Sequence, residues 1–120
     1  MKRNELEFFV NQLPETESSY PFGPEAMVYK VAGKMFALIA FHQNEERVTV
    51  KGMPADNELL VSQFSGIMPG YHMNKQHWLT VSLEQDVNAG MICDLVKGSY
   101  QLVVSKLPKA ERNRLILQGN

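Results

Sequence analysis

From Asn4 to Leu13 the apolar residues Leu6, Phe9, Val10 and Leu13 recur at three- and four-residue intervals until Pro14 ends the run, which predicts a short amphipathic helix. Glu15 to Glu25 is rich in Ser, Pro and Gly around Tyr20-Pro21-Phe22-Gly23-Pro24, and it reads as a loop whose rings plug the edge of the core. Met27–Val31 and Met35–Phe41 flank Ala32-Gly33-Lys34, where glycine supplies the positive φ of a tight turn; this predicts a β-hairpin. Arg47-Val48-Thr49-Val50-Lys51 then alternates cleanly, with Arg47, Thr49 and Lys51 on one side of a third strand and the valines on the other. The exposure of Lys30 is left to the register of the hairpin.

Ala55 to Phe64 carries Leu59, Leu60 and Phe64 at helical spacing, with Asp56 positioned to cap the helix or to meet its dipole. Ser65–Asn74 reads as loop and Trp78–Leu83 as strand. The longest helical pattern runs from about Ala89 to Leu107, with a broad apolar stripe through Met91, Ile92, Leu95, Val96, Tyr100, Val103, Val104 and Leu107. Pro108 suits the first position of a final basic turn or helix through Lys109, Arg112 and Arg114, whose cations favour a helix C-terminus. The order helix, three strands, helix, strand, helix gives adjacent antiparallel strands, not βαβ alternation. The expected class is therefore α+β, a two-layer single domain over residues 1–120 with an antiparallel sheet packed by helices.

A chain of 120 residues can bury one core without staples. No stretch approaches the roughly 18 apolar residues of a membrane span, and the opening Met1-Lys2-Arg3-Asn4-Glu5-Leu6-Glu7 does not continue as the core of a signal peptide. A cytoplasmic protein without membrane association is expected. The lone Cys93 allows no intrachain disulfide and reads as a small buried hydrophobe.

Net charge is −1, which opposes strong nonspecific attraction to polyphosphate, but the charge is segregated. Residues 1–26 carry two cations and five acids, and residues 54–94 carry one cation and five acids. Residues 27–53 hold Lys30, Lys34, Arg47 and Lys51 against Glu45 and Glu46, and residues 95–120 hold five cations against Glu111. A positive face follows if the two basic blocks meet.

The densest chemistry lies in Tyr71-His72-Met73-Asn74-Lys75-Gln76-His77-Trp78. The five-residue spacing of His72 and His77 does not put both rings on one helical face, His42 is distant in sequence, and no HExxH pattern is present, so no metal site is expected. A nucleophile elbow, a carboxylate pair and a glycine-rich phosphate loop are equally missing, so the expectation is a protein that is not an enzyme and takes no cofactor. Nucleic-acid contact uses the residues present. Asn74 offers an amide, Lys75 a point charge, the imidazoles hydrogen-bond donors, and Trp78 or Tyr71 a stacking surface. The competing structural reading makes Trp78 a core anchor, Asn74 the cap of its own loop and His77 a partner of a backbone carbonyl.

Three blocks, Val28-Tyr29-Lys30-Val31-Ala32-Gly33-Lys34-Met35-Phe36-Ala37, the segment from Tyr71 through Trp78 to Val81, and Gly98-Ser99-Tyr100 with Leu107-Pro108, together resemble the MmcQ/YjbR family of small bacterial proteins. The resemblance runs from about Pro21 to Leu117, and Met-Asn-Lys-x-His-Trp is its most specific part. It implies DNA binding by a compact α+β fold of double-wing type. The residues it implicates are Lys30, Lys34, His72, Asn74, Lys75, His77 and Trp78, to which the strand pattern adds Arg47 and Lys51. Few cations near the His-Trp block imply weak, salt-sensitive binding. The alternative is a small-ligand or protein-interaction module built on the His-Trp loop, as in the type III secretion chaperones whose fold it resembles.

Overall fold

A computed structural model describes residues 1–70 and 74–118. In chain order the elements are α1 (Arg3–Asn11), β1 (Thr16–Ser19), β2 (Ala26–Val31), β3 (Lys34–His42), β4 (Glu45–Lys51), α2 (Pro54–Gln63), β5 (Ile67–Pro69), β6 (Trp78–Ser82), α3 (Ala89–Ser105) and α4 (Lys109–Leu117). The strands form one antiparallel sheet in the order β1-β2-β3-β4-β6-β5. The α+β class and the antiparallel sheet packed by helices are as the sequence implies.

Two tight turns build the centre of the sheet. Ala32 and Gly33 (φ 49° and 77°) connect β2 to β3, and Gln43 and Asn44 (φ 50° and 64°) connect β3 to β4. Left-handed pairs of this kind match the twist of the strands they join. Register shifts between Tyr29 and Lys30, so that Phe36 is the extra residue of β3 and Lys30 is exposed. The irregularity lets Phe36 and Ala37, neighbours in sequence, both enter the core.

Helix α3 lies across β3 and β4 and covers one face of the sheet with Ile92, Val96, Tyr100, Val103 and Val104. Its start is capped by Asn88, whose Oδ1 accepts the Met91 N–H at 2.8 Å. Ser99 is fully buried where the helix meets the irregular strand. Its hydroxyl donates to the Phe36 carbonyl at 2.6 Å and accepts the Lys51 N–H at 2.8 Å, so one side chain satisfies a backbone group of β3 and one of β4 just past the last paired residues of the two strands. Next to it, the Tyr100 hydroxyl donates to the Pro14 carbonyl at 2.5 Å. Helix α1 is held by Arg3, which reaches Glu46 at 3.0 Å, Glu7 at 3.1 Å and the carbonyls of Glu25 and Ile39.

Several readings of local structure are corrected. Within the expected loop 15–25, Thr16–Ser19 is an edge strand; backbone pairing with β2 defines it, and the all-polar TESS sequence carries no alternation to announce it. Tyr20 and Phe22 do not plug the core: Phe22 is 78% exposed. The loop 65–74 contains β5, an edge strand where Pro69 is tolerated because its missing N–H faces no partner. In α2, Leu59 is exposed and Asn57 is the buried residue; Met53 is the N-cap with no side-chain bond and Pro54 begins the helix, so Asp56 does not cap it but lies in its first turn, where its charge meets the dipole. Pro108 likewise occupies the N-cap of α4, one position earlier than expected, and Arg114 of that helix pairs with Glu15 at 2.7 Å. The basic C-terminal stretch thus anchors the approach to β1.

Asp86 ties the α2–β5 turn to the β6–α3 turn, its carboxylate accepting the N–H groups of Gly66 at 2.7 Å and Ser65 at 2.8 Å. Those bonds hold its carboxyl below the ordinary aspartate value. A depressed carboxyl stabilises the fold above its unfolded pKa and loses that contribution as the pH falls through the folded value. Asp86→Asn is therefore expected to lower the melting temperature at neutral pH, with the gap narrowing from about pH 4 downward and closing only below the folded value. A gap that does not narrow as the pH falls from about 4 through the acid range would refute the assignment.

Candidate binding face

The helices cover one face of the sheet, and the opposite face is assembled by register. Residues paired directly across antiparallel strands share a face. Lys30 opposes Met35, and Lys51 opposes Trp78; Val28 opposes Leu38, Leu38 opposes Thr49, Thr49 opposes Thr80 and Thr80 opposes Met68; Ala26 opposes Ala40, and Ala40 opposes Arg47. Three rows result: the first, cationic and aromatic, is interrupted, since no pairing joins Met35 to Lys51; the second is apolar with two hydroxyls; and the third carries a guanidinium.

Of the residues the sequence singled out, the first row pairs Lys51 with Trp78 and carries Lys30 on the same face two strands from Lys51. Lys51 Nζ stands 6.0 Å from the centroid of the Trp78 ring, within cation–π range. Trp78 is half-buried on this outward face and lies outside the main hydrophobic core, so it is no core anchor. The alternation of β4 makes Arg47 share the face, as expected, but its side chain is only 13% exposed, bonded through Nε to Glu45 at 2.9 Å and through Nη2 to Gln43 at 3.3 Å.

The remaining candidates lie elsewhere. Lys34 opposes the buried Val31 at the tip of the β2–β3 hairpin and so belongs to the helix side. Lys75 is exposed on the turn before β6, at a groove of 380 Å³ shared with Pro54, Asn57, Glu58, Val61 and Pro69. Asn74 shapes its own turn: its Oδ1 accepts the Gln76 N–H at 3.0 Å, and its carbonyl accepts those of His77 and Trp78. His77 is half-buried, with its carbonyl accepting the Gly52 N–H at 2.9 Å. His72, with Tyr71 and Met73, lies outside the described residues. The structural reading of Asn74 holds.

What positions this turn is Asn57, which the sequence reading passed over. It is 4% exposed, and its Nδ2 donates to the Gln76 carbonyl at 3.1 Å. An asparagine within a helix three residues after a proline gives no sequence signal of a long-range bond. The signal for the apolar second row was present: Met35-Phe36-Ala37-Leu38-Ile39-Ala40-Phe41 is continuous instead of alternating, which marks a strand apolar on both faces. Beside that strand, Phe22, Ala26, Leu38, Ala40 and Met68, with Thr49, Thr80, Arg47, His42 and Gln43, surround a hollow of 570 Å³.

Among the described residues, no three His, Cys, Asp or Glu side chains are grouped to hold a metal ion. Cys93 is half-buried, not fully buried as expected, because it flanks the buried stripe of α3; burial and the neighbouring Asp94 push its thiol up, away from nucleophilic character. No helix among the described residues is long and apolar enough to cross a membrane.

A family model described as YjbR matches residues 11–102. The uncharacterised protein YbdF of Escherichia coli O157:H7 is 36% identical over 104 residues, covering 87% of this chain and 85% of that protein. The uncharacterised YjbR of Escherichia coli K12 is 34% identical over 116 residues, 97% of this chain and 98% of the relative. Among solved structures, Deinococcus radiodurans DR2400, described as a DUF419 domain, superposes with a TM-score of 0.83 at 38% identity over 93% of this chain and 86% of that one. A crystal structure of a Pseudomonas syringae protein gives a TM-score of 0.75 at 27% identity over 85% of this chain and 98% of its own.

Proposed function

The chain belongs to the YjbR family, and from that premise we propose that it is a non-enzymatic binding protein whose open sheet face makes weak, salt-sensitive contact with DNA. The observation that carries the reading is that Lys51 and Trp78 pair across β4 and β6, with Lys30 on the same face two strands from Lys51. A cation pair tracking a phosphate backbone beside an aromatic surface is the combination that holds nucleic acid without reading its sequence. An open sheet face suits a single strand with splayed bases better than a duplex, whose bases are stacked inside. A double-wing approach to duplex would instead enlist the hairpin tip with Lys34, on the other side of the sheet.

Trp78 is the only tryptophan of the chain, so its fluorescence reports directly on the proposed contact. Titration with a single-stranded thymidine oligonucleotide in low salt is expected to quench it saturably. With two lysine–phosphate contacts, log K should fall against log salt with a slope of about −1.4, and Lys51→Ala should weaken binding and make the slope shallower by about 0.7. Lys75→Ala and Lys34→Ala should change little. Failure to bind at high protein concentration in low salt would refute DNA contact; equal binding of duplex with loss in Lys34→Ala would move it to the hairpin tip.

A further inference from the structure

The cation row does not account for the hollow beside it. A sheet covered on one side ordinarily turns polar residues outward, yet β3 presents Leu38 and Ala40 there, and Met68, Ala26 and Phe22 extend the apolar surface. Outward apolar surface of this kind marks a binding site when it is concave, and 570 Å³ falls within the roughly 300–1,000 Å³ of small-molecule sites. Phe22 joins the wall from the β1–β2 loop, where burial in the core cannot explain it. On the floor the hydroxyls of Thr49 and Thr80 lie 3.2 Å apart and satisfy each other.

Arg47 supplies the polar end. Its Nε and Nη2 are engaged by Glu45 and Gln43, while Nη1 has no hydrogen-bond partner among the described residues and Arg47 lines the hollow. Because Glu45 already balances the guanidinium charge, a second carboxylate gains little there, whereas a neutral oxygen meets a ready donor. We propose that the hollow binds a small, predominantly apolar, uncharged molecule bearing one carbonyl-type acceptor, its apolar body on Leu38, Ala40 and Met68 and its oxygen toward Arg47. The site stands apart from the lysine row and does not depend on DNA contact.

Nile red, a neutral apolar dye with a carbonyl, is a suitable probe because its emission rises in apolar surroundings and shifts red on hydrogen bonding. The full chain is expected to bind one dye saturably. Ala40→Phe, which fills the hollow from its floor, should weaken that binding by at least about tenfold. Thr80→Tyr provides a second filling variant, and circular dichroism establishes that each is folded. Val61→Phe, at the other groove, should bind as the parent does. Arg47→Met should retain binding with blue-shifted emission, whereas a purely structural Arg47 would leave the spectrum of bound dye unmoved. Absence of saturable binding, or binding indifferent to both filling variants, would overturn the proposal. So would light scattering that shows a dimer whose dye signal appears only on dilution, because the occupant would then be a second copy. Lys51→Ala separates the two readings: it should impair the oligonucleotide and spare the dye.

Discussion

Replacing Phe36 by alanine is expected to cost about 3–5 kcal/mol of folding free energy, the range for deleting a buried aromatic ring. The ring is fully buried and meets Tyr100 edge-on, centroids 5.1 Å apart and planes at 85°, with the Tyr29 ring 6.5 Å away and tilted by 48°. Edge-to-face geometry adds about 0.5–1.5 kcal/mol to the burial itself. Against a typical total stability of about 5–15 kcal/mol, the loss is large enough to leave a substantial unfolded fraction on warming. Urea unfolding should show a lower midpoint with an unchanged slope, since the surface exposed on unfolding hardly differs. Phe41→Ala, at a half-exposed position on the same strand, serves as the comparison and should cost far less. A Phe36→Ala loss under about 1.5 kcal/mol would mean that the neighbouring side chains collapse into the space, and that the irregular register is not held by this ring.

The same residue shows what the sequence could and could not say. The apolar run around Phe36 and the alternation of Arg47–Lys51 announced β3 and β4, because packing on a covered face demands apolar side chains at fixed spacing. The helix α3 was legible for the same reason. Strand β1 was not, since TESS is placed by backbone hydrogen bonds to β2 and by the Glu15–Arg114 pair, neither of which leaves a periodic mark. Nor was the one-residue shift opposite Lys30, which depends on Ser99 arriving from 63 residues away to satisfy the Phe36 carbonyl. Of the candidate residues, Lys51 and Trp78 could be aligned only through the β4–β6 register, and Arg47 could be seen as an outward cation but not as one already matched by Glu45. Local pattern fixes which side a residue faces. Long-range pairing decides what it finds there.

Gly52→Ala is the second large expected effect, and its cause is space alone. Gly52 is not among the residues with positive φ, so alanine meets no conformational penalty there. A methyl group at this position would, however, stand 2.2 Å from Asn57 Oδ1 and 3.2 Å from its Cγ. Asn57 cannot swing freely away, because it is buried and its amide holds the Gln76 carbonyl. The Gly52 N–H bonds the adjacent His77 carbonyl, so moving either residue loosens the turn that leads into Trp78. The expected cost is about 1–3 kcal/mol from overpacking. Asn57→Ala alone should cost about 1–3 kcal/mol by leaving the Gln76 carbonyl without its partner. The double variant removes the amide that the new methyl strikes, so its loss should fall short of the sum by more than about 0.5 kcal/mol, the limit expected for independent sites. Each single variant should also shift the emission maximum of Trp78, since the turn holding its backbone is displaced in both. Strict additivity would show that Gly52 is needed for something other than room for Asn57. A shortfall with an unmoved Trp78 spectrum would confine the clamp to stability and detach it from the binding face.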